Sequence, residues 1–146
     1  MIAGEIAACL TASLVHWVDS YKLGCVFSHT GLRLPNQDIH AIGIAFIARK
    51  RLKYSPNYLE IAPDLVIEIR SAGESLILLQ ANIERCLELG SDVGILINPE
   101  ERTVTEYCPE DEIRILKNAE ILTLPKVLPG WELPVSNLWV PACHGY

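Results

Sequence analysis

Pro63-Asp64-Leu65-Val66-Ile67-Glu68-Ile69-Arg70-Ser71-Ala72-Gly73-Glu74-Ser75 is the stretch on which the fold turns. Asp64 to Arg70 reads as a buried strand, because Leu65, Val66, Ile67 and Ile69 are apolar, mostly β-branched, and bounded by a proline and a turn. Such a strand has no obvious reason to carry a carboxylate, yet Glu68 sits within it and Arg70 follows two residues later. Strand side chains alternate, so the two are expected on one face. The pair is either an internal ion pair or a site, and charges in buried strands are uncommon unless paired.

Outward from this strand, Ser71-Ala-Gly-Glu74 reads as a turn and Ser75 to Leu89 as a helix, with Leu76, Leu79, Ile83, Cys86 and Leu87 on one face and Gly90 as its stop. Val93 to Ile97 is a second apolar strand, ended by Asn98-Pro99. Strand, crossover helix and strand within about 30 residues predict a βαβ unit with a parallel pair. On the N-terminal side, Ile42 to Ile47 is a buried strand whose Gly43 is odd, since glycine weakens a strand and fills no space. Leu23–Ser28 and Gly31–Pro35 read as two short strands joined by a tight turn at His29-Thr30. Ile6, Leu10, Leu14, Trp17 and Val18 recur at helical spacing and predict a helix over residues 2 to about 20, with Glu5 in a first turn where a carboxylate suits the helix dipole.

Towards the C-terminus, Thr103–Cys108 and Ile113–Lys117 predict a hairpin around the acidic turn Pro109-Glu-Asp-Glu112. The tail, with Leu124-Pro, Leu128-Pro-Gly-Trp131 and Leu133-Pro134, reads as an irregular flap anchored by Trp131 and Trp139. Fifty per cent hydrophobic and 21% charged residues suffice for a core and argue against disorder. No apolar run is long enough to span a bilayer, and the apolar start, interrupted by Glu5, lacks the basic flank of a signal peptide. Cys9, Cys25, Cys86, Cys108 and Cys143 are odd in number and scattered away from the histidines, which argues against a zinc site or a disulfide framework and for a reducing cytoplasm. The net charge of −6 divides into +2 over residues 1–62 and −8 over residues 63–146. A broad basic surface for nucleic acid is therefore absent. The single basic cluster, Arg49, Lys50, Arg51 and Lys53, is a solvated loop or a phosphate contact.

Six segments in order carry a resemblance: Thr30-Gly-Leu-Arg-Leu-Pro35, Ala45-Phe-Ile47, Pro63 to Ser71, a helix ending Leu87-Glu-Leu-Gly90, Gly94-Ile-Leu-Ile-Asn-Pro99, and Val127-Leu-Pro-Gly130. Together they resemble the Uma-type restriction endonucleases, abundant in cyanobacteria and part of the PD-(D/E)XK nuclease superfamily. The resemblance runs from about Glu5 to Trp139. It implies an α/β fold with a restriction-endonuclease-like core, a central mixed sheet flanked by helices, in a single domain over 1–146 that is shortened at the N-terminus relative to the family. It also implies a divalent cation, Mg2+, held by carboxylates, and hydrolysis of a DNA phosphodiester, with DNA as partner, no membrane, and a homodimer left open. The chemistry is that of hard cations, which take oxygen ligands, polarise a phosphoryl group and acidify a bound water.

Carried over residue by residue, the resemblance places Glu68 and Glu5 as metal ligands and Arg70 as a phosphate clamp, so the implied catalytic set is Glu68, Arg70 and Glu5. With a pKa above ~12, Arg70 could hold a phosphate but not shuttle a proton. Two family positions are lost. Ile42-Gly43 stands where the family has Pro-Asp, and Asn82, after Leu79-Gln80-Ala81, stands where it has a lysine. Asp64 shares a strand face with Glu68 but lies four residues away, roughly 13 Å at ~3.3 Å per residue, too far for one ion. It reads as the residue that starts the strand. Asp38 and His40 are the remaining candidates to replace the missing carboxylate. Two functions follow: a weakened or inactive metal-dependent endonuclease, or a non-catalytic binding module built on the same fold.

Overall fold

The pattern of two-residue alternation in the strands and helical spacing around them resolves, in a computed structural model, into a sheet with one helix on each face. The structure describes residues 3–53 and 57–139. Ile2, Ser55, Pro56, Cys143 and His144 lie outside the described residues. Helix α1 (Ala3–Tyr21) is followed by strands β1 (Gly24–Arg33), β2 (Ile39–Ala48) and β3 (Leu65–Ile69). Helix α2 (Leu76–Glu88) leads to β4 (Val93–Asn98), β5 (Thr103–Tyr107) and β6 (Arg114–Leu116). These six strands form one sheet in sequence order. Only β3 and β4 run parallel, Leu65 opposite Val93 and Ile69 opposite Ile97, with α2 as their crossover. The sheet is therefore mixed and flanked by helices, as the resemblance implies, and the three strands predicted to share it do so.

Alternation on β3 divides the core. Leu65 and Ile67 face α1, where they meet Ile6, Leu10, Leu14 and Val18. Val66 faces α2 and packs with Leu79, Ile83 and Cys86. Ser75 caps α2, its Oγ accepting from the backbone N–H of Leu78 at 3.3 Å. The helix lies so close to the sheet that a Cβ built on Gly94 would stand 2.2 Å from Ile83 Cγ2. Ile83 is fully buried and β-branched, so it has little freedom to yield. Gly94→Ala is expected to cost about 1–3 kcal/mol through overpacking. Urea unfolding checks this, and an unchanged midpoint would show that α2 can move away from β4.

Two elements differ from the sequence reading. β1 is one strand of 10 residues, not two short ones. The pairing with β2 keeps a single register through the supposed turn, with Ser28 opposite Ile44 and Thr30 opposite Ile42. His29, between them, absorbs the irregularity with φ +51°. The tail is also more regular than a flap: β7 (Ile121–Leu124) and β8 (Leu128–Pro134) form an antiparallel hairpin. Its anchor is Trp131, whose Nε1 donates to Ser13 Oγ of α1 at 3.2 Å, while Trp139 Nε1 donates to Asn118 Oδ1 at 2.7 Å.

Candidate functional site

The site begins where a ladder stops. β2 and β3 pair through Phe46–Leu65, Ala45–Val66 and Ile44–Ile67, and the next opposed residues are Gly43 and Glu68. There the backbone pairing ends, and the side chain of Glu68 takes its place: Oε1 accepts the Gly43 N–H at 3.2 Å. Glu68 is only 8% exposed. Burial raises its pKa from the ordinary 4.5 to about 7, the Gly43 N–H opposes that rise, and the nearby charge of Glu74 adds to it. A Cβ built on Gly43 would stand 3.2 Å from Glu68 Oε2 and 3.1 Å from the carbonyl oxygen of Ile67. A carboxylate at this position would thus sit directly beside that of Glu68.

Gly43 and Glu68 open into a cleft of about 1220 Å³ between α1, the β1–β2 hairpin and the start of α2. Asn82 also lines it. Glu68, Gly43 and Asn82 thus line one cleft together.

The other two residues of the expected set do not join them. Arg70 directly follows β3, its backbone N–H still donating to the Ile97 carbonyl oxygen at 2.9 Å, but its side chain is engaged elsewhere. Its Nε donates to the Glu74 carbonyl oxygen at 2.9 Å, and its guanidinium is paired with Glu100. Glu74 in turn accepts the Ser71 N–H at 2.9 Å, which ties the β3–α2 loop together. Arg70 braces this loop and does not line the cleft. Glu5 occupies the first turn of α1, the place a helix dipole favours for an acid. It is not among the residues lining the cleft, although its neighbour Gly4 is. The three-residue convergence of Glu68, Arg70 and Glu5 is thus not the geometry found.

The proposed replacements lie elsewhere. Asp38 is in the exposed β1–β2 turn, accepting from Asn36 Nδ2 at 3.0 Å. His40 is on β2, but it does not line the cleft, and its Nε2 is buried without a protein partner. Burial, with the Arg85 charge, holds its pKa below the usual histidine value. Asp64 works at the opposite end of β3: Oδ2 accepts the Ala48 N–H at 2.7 Å and Oδ1 pairs with Arg51 at 2.8 Å. That pairing also draws Arg51, which donates to the Ala62 carbonyl oxygen at 2.9 Å, out of the basic cluster and into structure.

Several cleft residues escaped the sequence reading, among them Asp19, His16, His29 and Glu74. His29 and Gly43 are opposed across β1 and β2, a relation visible only once the hairpin register is known. Glu74 carried a usable signal, the Ser71-x-x-Glu74 spacing of a local return hydrogen bond.

Among the described residues no group of three His, Cys, Asp or Glu side chains is placed to hold a metal ion. Glu68 offers one carboxylate already engaged by a backbone N–H, and Gly43 offers none. The donor set does not fit a magnesium ion, which requires several oxygens in near-octahedral order.

A mixed sheet with a helix on each face, a carboxylate near the end of its central strand and a neighbouring strand that parts from it there defines a restriction-endonuclease-like protein. The chain belongs to the Uma2 family: residues 2–136 match its family model, described as putative restriction endonuclease. It is also similar in fold to the crystal structure of a putative nuclease belonging to DUF820 from Anabaena variabilis ATCC 29413. The TM-score is 0.87 and the identity 23%, covering 94% of this chain and 79% of that one. Among curated proteins nothing matches the chain. No helix among the described residues is long and apolar enough to cross a membrane.

Proposed function

We propose that this chain is a single nuclease-fold unit, acting in the cytoplasm, in which magnesium-dependent hydrolysis of DNA phosphodiesters has decayed to a trace. The observation that carries this reading is at Gly43: a Cβ there would stand 3.2 Å from Glu68 Oε2, and the glycine offers no side-chain ligand at that place. Asn82 supports it, since a neutral amide on the cleft wall carries no positive charge to offset developing negative charge and supplies no proton readily. Glu68 remains the one acid of the ancestral set that enters the cleft, with Arg70 as a brace of the adjoining loop and Glu5 as a helix-terminal acid.

Calorimetric titration with Mg2+ tests the reading. The expected result is no saturable heat below the millimolar range, because a site short of carboxylates binds a strongly hydrated cation poorly. Saturable micromolar binding that disappears in Glu68→Ala would overturn it.

A further inference from the structure

The end of the sheet at which β3 and β4 begin carries both signs of charge, kept apart. The strand register assembles this rim: Gly24 of β1 stands opposite Ala48 of β2, Phe46 opposite Leu65, Leu65 opposite Val93, Gly94 opposite Tyr107, and Glu106 opposite Arg114. On its β1–β2 side lie Lys22, Arg49 and Lys50, all exposed, where the Arg49 N–H donates to the Leu23 carbonyl oxygen at 2.8 Å. On its β4–β6 side lie Asp92, whose N–H donates to the Asp64 carbonyl oxygen at 2.9 Å, and the turn with Glu110, Asp111 and Glu112, all exposed. Arg51 is held by Asp64 at 2.8 Å, and Asp111 by Lys126 at 2.8 Å. Lys22, Arg49, Lys50, Asp92, Glu110 and Glu112 make no ion pair with another described residue.

The two sides do not cancel within one molecule. β2 and β5 are three strands apart in the sheet, roughly 14 Å at ~4.8 Å per strand. That exceeds the Debye length, ~8 Å at physiological ionic strength, so each side keeps its own field. A polyanion laid along the rim would meet cations on one side and carboxylates on the other. A second copy of the chain matches both. The two-fold rotation that sets two such rims face to face places the basic side of each against the acidic side of the other. An exposed apolar side chain neighbours each side, Tyr21 at 59% beside Lys22 and Ile113 at 57% beside Glu112, so the contact has apolar surface to bury as well.

We propose that this rim is the contact of a two-fold homodimer, in which the Arg49–Lys50 corner of each protomer docks on the acidic turn of the other copy. Exposed ion pairs contribute little each, so the dimer is weak and rests on the two patches acting together. The sign of its salt dependence is diagnostic. Each chain carries a net charge of −6, so copies held by apolar surface alone would associate more tightly as salt screens their repulsion. Copies held by complementary patches separate instead. The contact does not depend on whether any DNA cleavage survives.

Sedimentation velocity at ~20 mM and ~500 mM salt, on either side of the physiological screening range, tests the proposal. The chain is expected to dimerise at the lower salt, with a dissociation constant at least ~tenfold larger at the higher. Arg49→Glu with Lys50→Glu makes both sides of the rim acidic, and Glu110→Lys with Glu112→Lys turns the acidic turn basic. Each double variant alone should be monomeric. An equal mixture of the two should dimerise again, because the reversed side of one faces the reversed side of the other and the unaltered sides still match. Misfolding cannot produce that rescue. A chain that is monomeric at low salt, a dimer that tightens with salt, or a mixture that stays monomeric would each overturn the proposal. Short duplex DNA that binds a monomeric chain, and no longer binds Arg49→Glu with Lys50→Glu, would overturn it too and assign the basic side to nucleic acid.

Discussion

Supercoiled plasmid incubated with the unaltered chain and manganese is expected to stay supercoiled, and the double variant Gly43→Asp with Asn82→Lys to nick it at least ~100-fold faster. The magnitude follows from the effect of single electrostatic groups in active sites, whose removal costs on the order of 100- to 1000-fold in rate. On the proposed reading two such positions, Gly43 and Asn82, lack the charged side chain, although their effects need not add. The geometry favours repair. A Cβ at residue 43 would contact Glu68 Oε2 at 3.2 Å, so the new carboxylate arrives beside the old one after a shift of a few tenths of an ångström. Asn82 already faces the same cleft, so a lysine there needs no new backbone. Without a cation the two carboxylates would repel, and the introduced aspartate would raise the Glu68 pKa further. The variant should therefore be less stable than the parent in chelator and recover stability with manganese, which gives a readout independent of cleavage. Glu68→Ala is the control for contaminating nuclease. Strong nicking by the unaltered chain that vanishes in Glu68→Ala would show that the site has been rebuilt from other residues. A folded, manganese-stabilised double variant that cleaves no faster would show that positions 43 and 82 are not the lesion.

The fold was largely legible because its central unit depends on local signals. The apolar β-branched run from Leu65 to Ile69, the Ser75 cap and Gly90, which takes φ +120°, each mark an element without reference to distant residues. The first helix was equally plain, because Ile6, Leu10, Leu14 and Val18 form one buried stripe. Misreadings arose where pairing partners overrule local composition. His29-Thr30 looks like a turn, yet β2 holds β1 in register straight through it. The prolines of the tail suggested irregularity, but Pro125 falls in the turn between β7 and β8 and Pro134 at the end of β8. The site was legible only in part for a related reason. Alternation suggests that Glu68 and Arg70 share a face, but it is blind to the partners that hold Arg70, the Glu74 carbonyl oxygen and Glu100. No pattern in the sequence says that β2 and β3 part company after Ile44 and Ile67, and that parting creates the cleft.

Replacing Glu68 by glutamine is expected to stabilise the protein, and to do so only above mildly acidic pH. The carboxyl group is buried, which raises its pKa to about 7, with the Glu74 charge contributing and the Gly43 N–H opposing. In the unfolded chain it titrates near the ordinary 4.5. Between these two values the folded state binds more protons than the unfolded state, so stability falls as pH rises through the window. Below the unfolded value both states are protonated and no penalty exists; above the folded value the penalty is complete. A shift of this size corresponds to about 3 kcal/mol, an upper figure for one buried group. Glu68→Gln, nearly the same shape and neutral at every pH, removes the penalty while leaving an oxygen for the Gly43 N–H. Urea midpoints measured for both proteins at pH 4 and pH 8 should nearly coincide at the lower pH and separate at the higher, with the variant more stable. Taking the difference between the two proteins cancels the other carboxylates, which titrate in both. Glu74→Gln gives a second check, since removal of its charge should lower the titration midpoint of Glu68 followed by carbon NMR. A stability gap that is the same at both pH values would mean that the carboxylate is solvated in the folded state, and the penalty assigned to its burial would not exist.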